Sequence, residues 1–214
     1  MKRYQDYIFD FDNRRLRGDF DGAYRAFADV WPSQHDTHIL KFQSILWQAK
    51  QRRPGAKLLD VGAGYGDFVR HATLSGLDCT GVEVSRAAVA SGLARLGPMK
   101  MIVADLRHGL PFADGQFDIV VVFGVFQYLM DATARAVDEL RRVIAEGGLL
   151  AASTTLPADP IGKEYLGDYA QFAECLRRRF TVTEAFLGYD HQELAAGKPV
   201  GECATDFIAY CRPA

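Results

Sequence analysis

The sequence predicts an α/β protein: a doubly wound, seven-stranded sandwich, mostly parallel with an antiparallel last strand. Three observations predict it. From Lys57 onward, short β-branched runs alternate with stretches of helical period, the pattern of βαβ units and a parallel sheet. Glycines or acidic residues stand directly after the first three runs, where ligands gather outside the carboxyl ends of such a sheet. The last two runs follow one another without a helix, as an antiparallel pair would.

Each element has its own signal. Residues 1–53 read as a helical, aromatic-rich cap without a strand-like run, set against one compact unit over 54–214. The strands are expected at Lys57–Val61, Asp78–Val82, Lys100–Ala104, Phe117–Phe123, Leu149–Thr154, Phe180–Leu187 and Asp206–Cys211, with helices between the first six. After Gly66 a helix carries Phe68, Val69 and Ala72 inward and stops near Gly76. Ser85 is placed to cap a helix that buries Val89, Leu93 and Leu96. Asp131 is placed to cap another that buries Val137, Leu140 and Ile144, with Gly147 to end it.

Composition narrows the function. A chain of 214 residues, 49% hydrophobic and 24% charged, buries a core of its own and is neither collagen-like nor disordered. A net charge of −2 gives no electrostatic footprint for nucleic acid. The longest apolar run, Ile119 to Phe126, is far short of the ~20 residues of a membrane-spanning helix. The opening MKRYQDYIFDFD mixes charges with aromatics, unlike a signal peptide, so a cytoplasmic protein without a membrane partner is expected. The four cysteines include no C-x-x-C and no metal-ligand spacing, and are expected reduced and mostly buried. The run Arg177–Arg179 falls at a helix end, where cations suit the dipole.

The chemistry lies at three strand ends. After the first comes Asp60-Val61-Gly62-Ala63-Gly64-Tyr65-Gly66, with glycines at G-x-G-x-G spacing. Gly62 permits a tight turn, Gly64 lets the backbone approach a ligand and Gly66 opens the next helix. The third glycine arrives one residue earlier than in the pyrophosphate-binding G-x-G-x-x-G. After the second strand comes Glu83, suited to accept both ribose hydroxyls of an adenosine moiety, as equally expected of NAD. Asp105 and Leu106 follow the third, a carboxylate for an adenine amino group and a backbone N–H for a ring nitrogen. Three carboxylates there suit a cationic ligand and would repel a pyrophosphate.

The segments LLDVGAGYGDF, TGVEVS, ADLRHGLPFADGQFDIVVVFGVFQYL and LRRVIAEGGLL together resemble the successive motifs of class I S-adenosylmethionine-dependent methyltransferases, from Lys57 to Thr155. The resemblance implies a Rossmann-like fold and S-adenosyl-L-methionine as cofactor. It implies that Asp60, Gly62, Ala63, Gly64, Tyr65 and Gly66 hold the methionine end and that Glu83, with Val84 beside it, binds the ribose. Asp105 and Leu106 would bind the adenine, and the Phe123 carbonyl would accept from the methionine ammonium. Many relatives carry an acidic residue and Glu-His after the fourth strand, where this chain has Gly124, Gln127 and Tyr128. Gly124 argues against bound magnesium, and the absence of any Pro-Pro argues against amino-methyltransferases of DNA or glutamine.

The expected reaction is in-line methyl transfer to a small-molecule acceptor, an oxygen nucleophile, without a metal. The aromatics of residues 4–38, from Tyr4 to Trp31, either pack a helical extension on the core or form a cap over the acceptor pocket. His35, His38, His191 and Tyr128 are the candidate catalytic residues; His71, on a helix, and His108, in a turn, are set aside. A short-chain reductase would need Tyr-x-x-x-Lys, which none of the nine tyrosines begins. A methyltransferase-like subunit without catalysis is opposed by the intact glycine loop, Glu83 and Asp105.

Overall fold

A computed structural model of the chain describes residues 4–13, 15–27, 35–52, 55–156, 169–189 and 205–214. The sheet consists of β3 (Lys57–Val61), β4 (Asp78–Glu83), β5 (Lys100–Val103), β6 (Phe117–Phe123), β7 (Ile144–Leu156), β8 (Phe180–Tyr189) and β9 (Thr205–Pro213). Its order is β5-β4-β3-β6-β7-β9-β8. The strands from β3 to β7 run parallel, and β9 inserts antiparallel between β7 and β8. This is the doubly wound architecture with an antiparallel last strand that the alternating pattern predicts.

The central strands are apolar on both sides because both faces are covered. Along β6, Ile119 and Val121 enter one core cluster while Val120 and Val122 enter the other, following the two-residue period of a strand. The first cluster is closed by α3 (His35–Arg52), through Ile45, Leu46 and Ala49, and by α4 (Asp67–Leu74), through Phe68, Val69 and Ala72. The second is closed by α6 (Thr133–Val143) and α7 (Tyr169–Arg177), through Val137, Leu140, Phe172 and Leu176. The helix α5 (Arg86–Leu96) starts where predicted, with the Ser85 hydroxyl accepting the Ala88 N–H at 3.0 Å. The arginine run at the end of α7 forms ordinary ion pairs, among them Arg179 with Asp138 of α6 at 2.6 Å.

Several expectations are corrected. The N-terminal segment contains a small hairpin, β1 (Phe9–Asp10) and β2 (Arg15–Leu16), between α1 (Tyr4–Ile8) and α2 (Phe20–Ala26). Asp10 closes it, its carboxylate accepting from the Asn13 amide at 3.0 Å and from Arg15 Nε at 3.1 Å. No α-helix joins β5 to β6; a single 3₁₀ turn, Leu106–His108, stands there. Asp131 does not cap α6: it lies in the 3₁₀ turn Met130–Ala132, and Ala132 precedes the helix without a side-chain bond. Nor does Gly147 end that helix. The chain turns extended at Ile144, which pairs with Phe117, and the residues up to Leu149 are absorbed in a bulge. On α5 the buried face is Ala88, Val89 and Gly92, whereas Leu93 is 38% exposed and Leu96 half-buried.

Two facts of this topology position a site. The chain leaves β3 toward β4 on one side and returns to β6 on the other, so a crevice opens at their carboxyl ends. The N-terminal elements α1 and α2 lie over this same end of the sheet, as the aromatic contacts described below establish.

Candidate functional site

The site begins with the turn after β3. Gly62 has φ +78° at the switch point, and a Cβ added there would collide with the Val125 side chain beyond β6. The Gly62 and Ala63 N–H groups both donate to the Val82 carbonyl, at 2.8 and 2.9 Å, which pins the turn to β4. Gly64 has φ +56°, and its missing Cβ would sit 3.2 Å from the Tyr24 hydroxyl of the N-terminal segment. Gly66 stands directly before α4 as its cap. Tyr65 is buried between, its hydroxyl donating to the Phe27 carbonyl at 3.3 Å and its ring meeting Tyr24 edge-on.

Glu83 ends β4 and is 5% exposed. One of its oxygens accepts the Gly64 N–H at 2.9 Å and the other accepts the Ser85 N–H at 2.9 Å. The carboxylate has lone-pair capacity beyond these two bonds to face a ligand hydroxyl. Val84 lies half-buried beside it. Asp60, inside β3, is 6% exposed, and burial, with the charges of Glu83 and Asp67, pushes its carboxyl up to about 7. Burial also raises Glu83, against the pull of the backbone donors at Ser85, Gly64 and Val84. Two buried carboxylates beside a glycine turn form a site that a cation relieves and an anion aggravates.

Asp105 follows β5 and caps the 3₁₀ turn, accepting the Arg107 N–H at 2.9 Å. The same carboxylate is held by the Arg107 guanidinium, with Nη2 at 2.6 Å and Nε at 3.0 Å. Burial opposes its ionisation, but the bonds from Arg107 prevail and hold the carboxyl below its ordinary range. Leu106 is buried and Phe123 is half-buried at the end of β6.

Tyr128 lies in the 3₁₀ turn Phe126–Tyr128 just beyond β6. Its ring packs against Phe9 and Phe20, with centroids at 5.9 and 5.6 Å. Its hydroxyl is hydrogen-bonded by Tyr4 and Gln127, and Gln127 in turn accepts from the Thr154 hydroxyl at 3.4 Å. Burial outweighs those bonds and pushes the Tyr128 hydroxyl up to about 12, so it is neutral at pH 7. Burial raises Tyr4 further still, with the neighbouring Tyr128, Tyr24 and Glu83 adding to it.

The structure therefore gathers Asp60, the glycine turn, Glu83 and Tyr128 at one end of the sheet. His35 and His38 fall on α3, with side chains beyond those described, and His191 lies outside the described residues. Sequence reasoning missed Asp21, Tyr4 and Tyr24 as parts of this site. Aromatic density pointed to the segment holding the tyrosines. Nothing local marks Asp21, whose partners Ser85 and Ala87 stand 64 and 66 residues away.

Comparison with known proteins places the fold in a family. A family profile described as "Methyltransferase domain" matches residues 59–152. The demethylmenaquinone methyltransferase of Corynebacterium efficiens is 33% identical over 159 residues, 69% of this chain and 67% of that protein. The malonyl-[acyl-carrier protein] O-methyltransferase of Geobacter sulfurreducens is 38% identical over 146 residues, 65% of this chain and 52% of that one. Among solved structures, the PH0226 protein of Pyrococcus horikoshii superposes with a TM-score of 0.67 at 18% identity, over 91% of this chain and all of that one. The fold, with its acidic, glycine-turned crevice, is that of a Rossmann-like α/β domain. The chain belongs to the class I S-adenosylmethionine-dependent methyltransferases. It spans about half to two thirds of the length of the curated relatives it matches.

Proposed function

We propose that this chain transfers a methyl group from S-adenosylmethionine to an oxygen nucleophile of a small-molecule acceptor, in line and without a metal. The observation that carries the reading is the pair of buried carboxylates, Asp60 and Glu83, flanking a glycine turn. The cofactor bears an ammonium and a sulfonium but no phosphate, so these charges attract it. When bound, it supplies an electrophilic methyl group on sulfur. Asp60 and the turn from Gly62 to Gly66 are assigned to its methionine end, with the Phe123 carbonyl accepting from the ammonium. Glu83, beside Val84, is assigned to the ribose, and Asp105 with Leu106 to the adenine.

What remains for the protein is orientation, which supplies most of the rate in a displacement of this kind. Tyr4 and Tyr128 present neutral hydroxyls above the strand ends, suited to orient an acceptor oxygen rather than to deprotonate it. Where the acceptor must lose a proton, the base is sought among His35, His38 and His191. An oxygen acceptor is supported by the likeness to an O-methyltransferase. The whole chain should be incubated with methyl-labelled cofactor and fractionated host extract, with and without a chelator, and labelled products identified by mass. A labelled small molecule methylated on oxygen, formed equally with chelator, is the expected result. Absence of calorimetric binding to both S-adenosylmethionine and its demethylated product would overturn the reading.

A further inference from the structure

The N-terminal segment is a unit apart. Its buried apolar residues, among those described in 4–27, are Ile8 and Ala23, and neither belongs to either core cluster of the sheet. Its backbone bonds are largely its own: Arg17 and Gly18 donate to the Ile8 carbonyl and Asp19 to that of Tyr7. What joins it to the sandwich is aromatic packing of Phe9 and Phe20 on the Tyr128 ring together with polar contact: Tyr4 to Tyr128, Tyr65 to the Phe27 carbonyl, and Tyr24 over Gly64. A piece held this way opens at lower free energy than the core beneath it.

A further join is made by Asp21, on α2. One of its oxygens accepts the Ser85 hydroxyl at 2.6 Å and the Ala87 N–H at 3.0 Å, at the first turn of α5. Ser85 is the residue whose own N–H is accepted by Glu83, and Glu83 in turn accepts from Gly64. A continuous line of hydrogen bonds thus runs Asp21–Ser85–Glu83–Gly64. It links the outer segment to the carboxylate and the turn assigned to the cofactor.

We propose that Asp21 is a positioning residue for the cofactor site: through Ser85 it latches residues 4–27 closed over Glu83 and Gly64 and so controls passage of the cofactor. The inference rests on the assignment of Glu83 and Gly64 to the cofactor. With the segment closed, the Tyr24 hydroxyl stands against Gly64, so a nucleoside reaches the turn only when the latch parts. Loss of Asp21 therefore speeds entry and exit together, whereas a residue that only stiffened α5 would change exit or stability alone.

The test uses the whole chain and S-adenosylhomocysteine as probe. Association and dissociation rate constants are measured for the wild type, Asp21→Ala, Asp21→Asn and Arg25→Ala, alongside hydrogen exchange of the empty proteins. Asp21→Ala should raise both rate constants by about tenfold while the dissociation constant moves by less than about threefold. Amides within 4–27 should lose protection in that variant and those of β3 to β6 keep theirs. Asp21→Asn retains an acceptor oxygen and should restore most of the behaviour. Arg25→Ala, which removes the exposed ion pair to Asp21 at 3.5 Å, should behave as wild type. Unchanged protection in Asp21→Ala overturns the latch, and so does a rise in dissociation alone. If the wild type fails to bind the probe while Asp21→Ala loses protection, the assignment of the cofactor site falls and control of cofactor passage with it, and only the closure of the segment by Asp21 stands.

Discussion

One oxygen of Glu83 accepts the Gly64 backbone N–H at 2.9 Å, tying the end of β4 to the glycine turn after β3. The carboxylate proposed for the ribose is thus also a brace for the turn. Glu83→Ala removes both roles at once and should weaken S-adenosylhomocysteine binding about 10- to 100-fold, since a bond to a charged group contributes ~1.5–3 kcal/mol. The Ala variant should still fold, because β4 remains paired with β3 and β5. Calorimetric titration checks it, and unchanged affinity would place the site elsewhere.

Asp105→Ala tests the proposed adenine contact. The wild type should prefer adenosine over inosine forms of the demethylated cofactor, because inosine lacks the amino donor, and the variant should lose much of that preference. The same change leaves Arg107 without its carboxylate partner, so a stability loss of ~1–3 kcal/mol is expected in denaturant unfolding. Selectivity and stability are separable here. A variant that is less stable but equally selective would make Asp105 a brace for Arg107 alone.

Asp60 sets a pH dependence. Its carboxyl is raised to about 7 from an ordinary 3.8, so between those values the folded protein holds more protons than the unfolded chain. The stability this contributes is complete below the ordinary value and is lost as pH rises through about 7. A bound cation reverses the preference, because it favours the ionised form. S-adenosylhomocysteine should therefore bind about tenfold more tightly at pH 8 than at pH 6, with proton release near neutrality. Titration in buffers of different ionisation enthalpy measures that release, and Asp60→Asn should abolish it.

Tyr128→Phe separates orientation from base catalysis. A hydroxyl pushed up to about 12 does not accept a proton at neutral pH. The variant should retain turnover within about tenfold and keep the shape of the wild-type pH profile, whereas loss of a general base costs about 10²–10⁴. Initial rates with the identified acceptor decide between them.

Much of this protein is local, and what is local was legible. The β-branched run from Ile119 to Val122 and the helical period of α6 were enough to place a strand and a helix of the sandwich. The glycine spacing from Gly62 to Gly66 and the acids at Glu83 and Asp105 located the crevice, because topology alone places strand ends there. Boundaries went astray where neighbours compete. Ile144 continues the helical period of α6, yet pairing with Phe117 draws it into β7. Leu93 has the right spacing for a buried face, but no described element packs over it closely enough to bury it.

The sequence by itself determined the sandwich, the crevice and the charge of its walls. Only the tertiary structure decided how those walls are joined. It turned Asp105 toward Arg107, gave both oxygens of Glu83 to backbone donors and brought Asp21 onto Ser85. The physical reason is one of distance along the chain. Periodicity and turn chemistry act over a few residues, whereas the bond from Asp21 closes 64 residues of chain and exists only once α2 and α5 have been packed side by side.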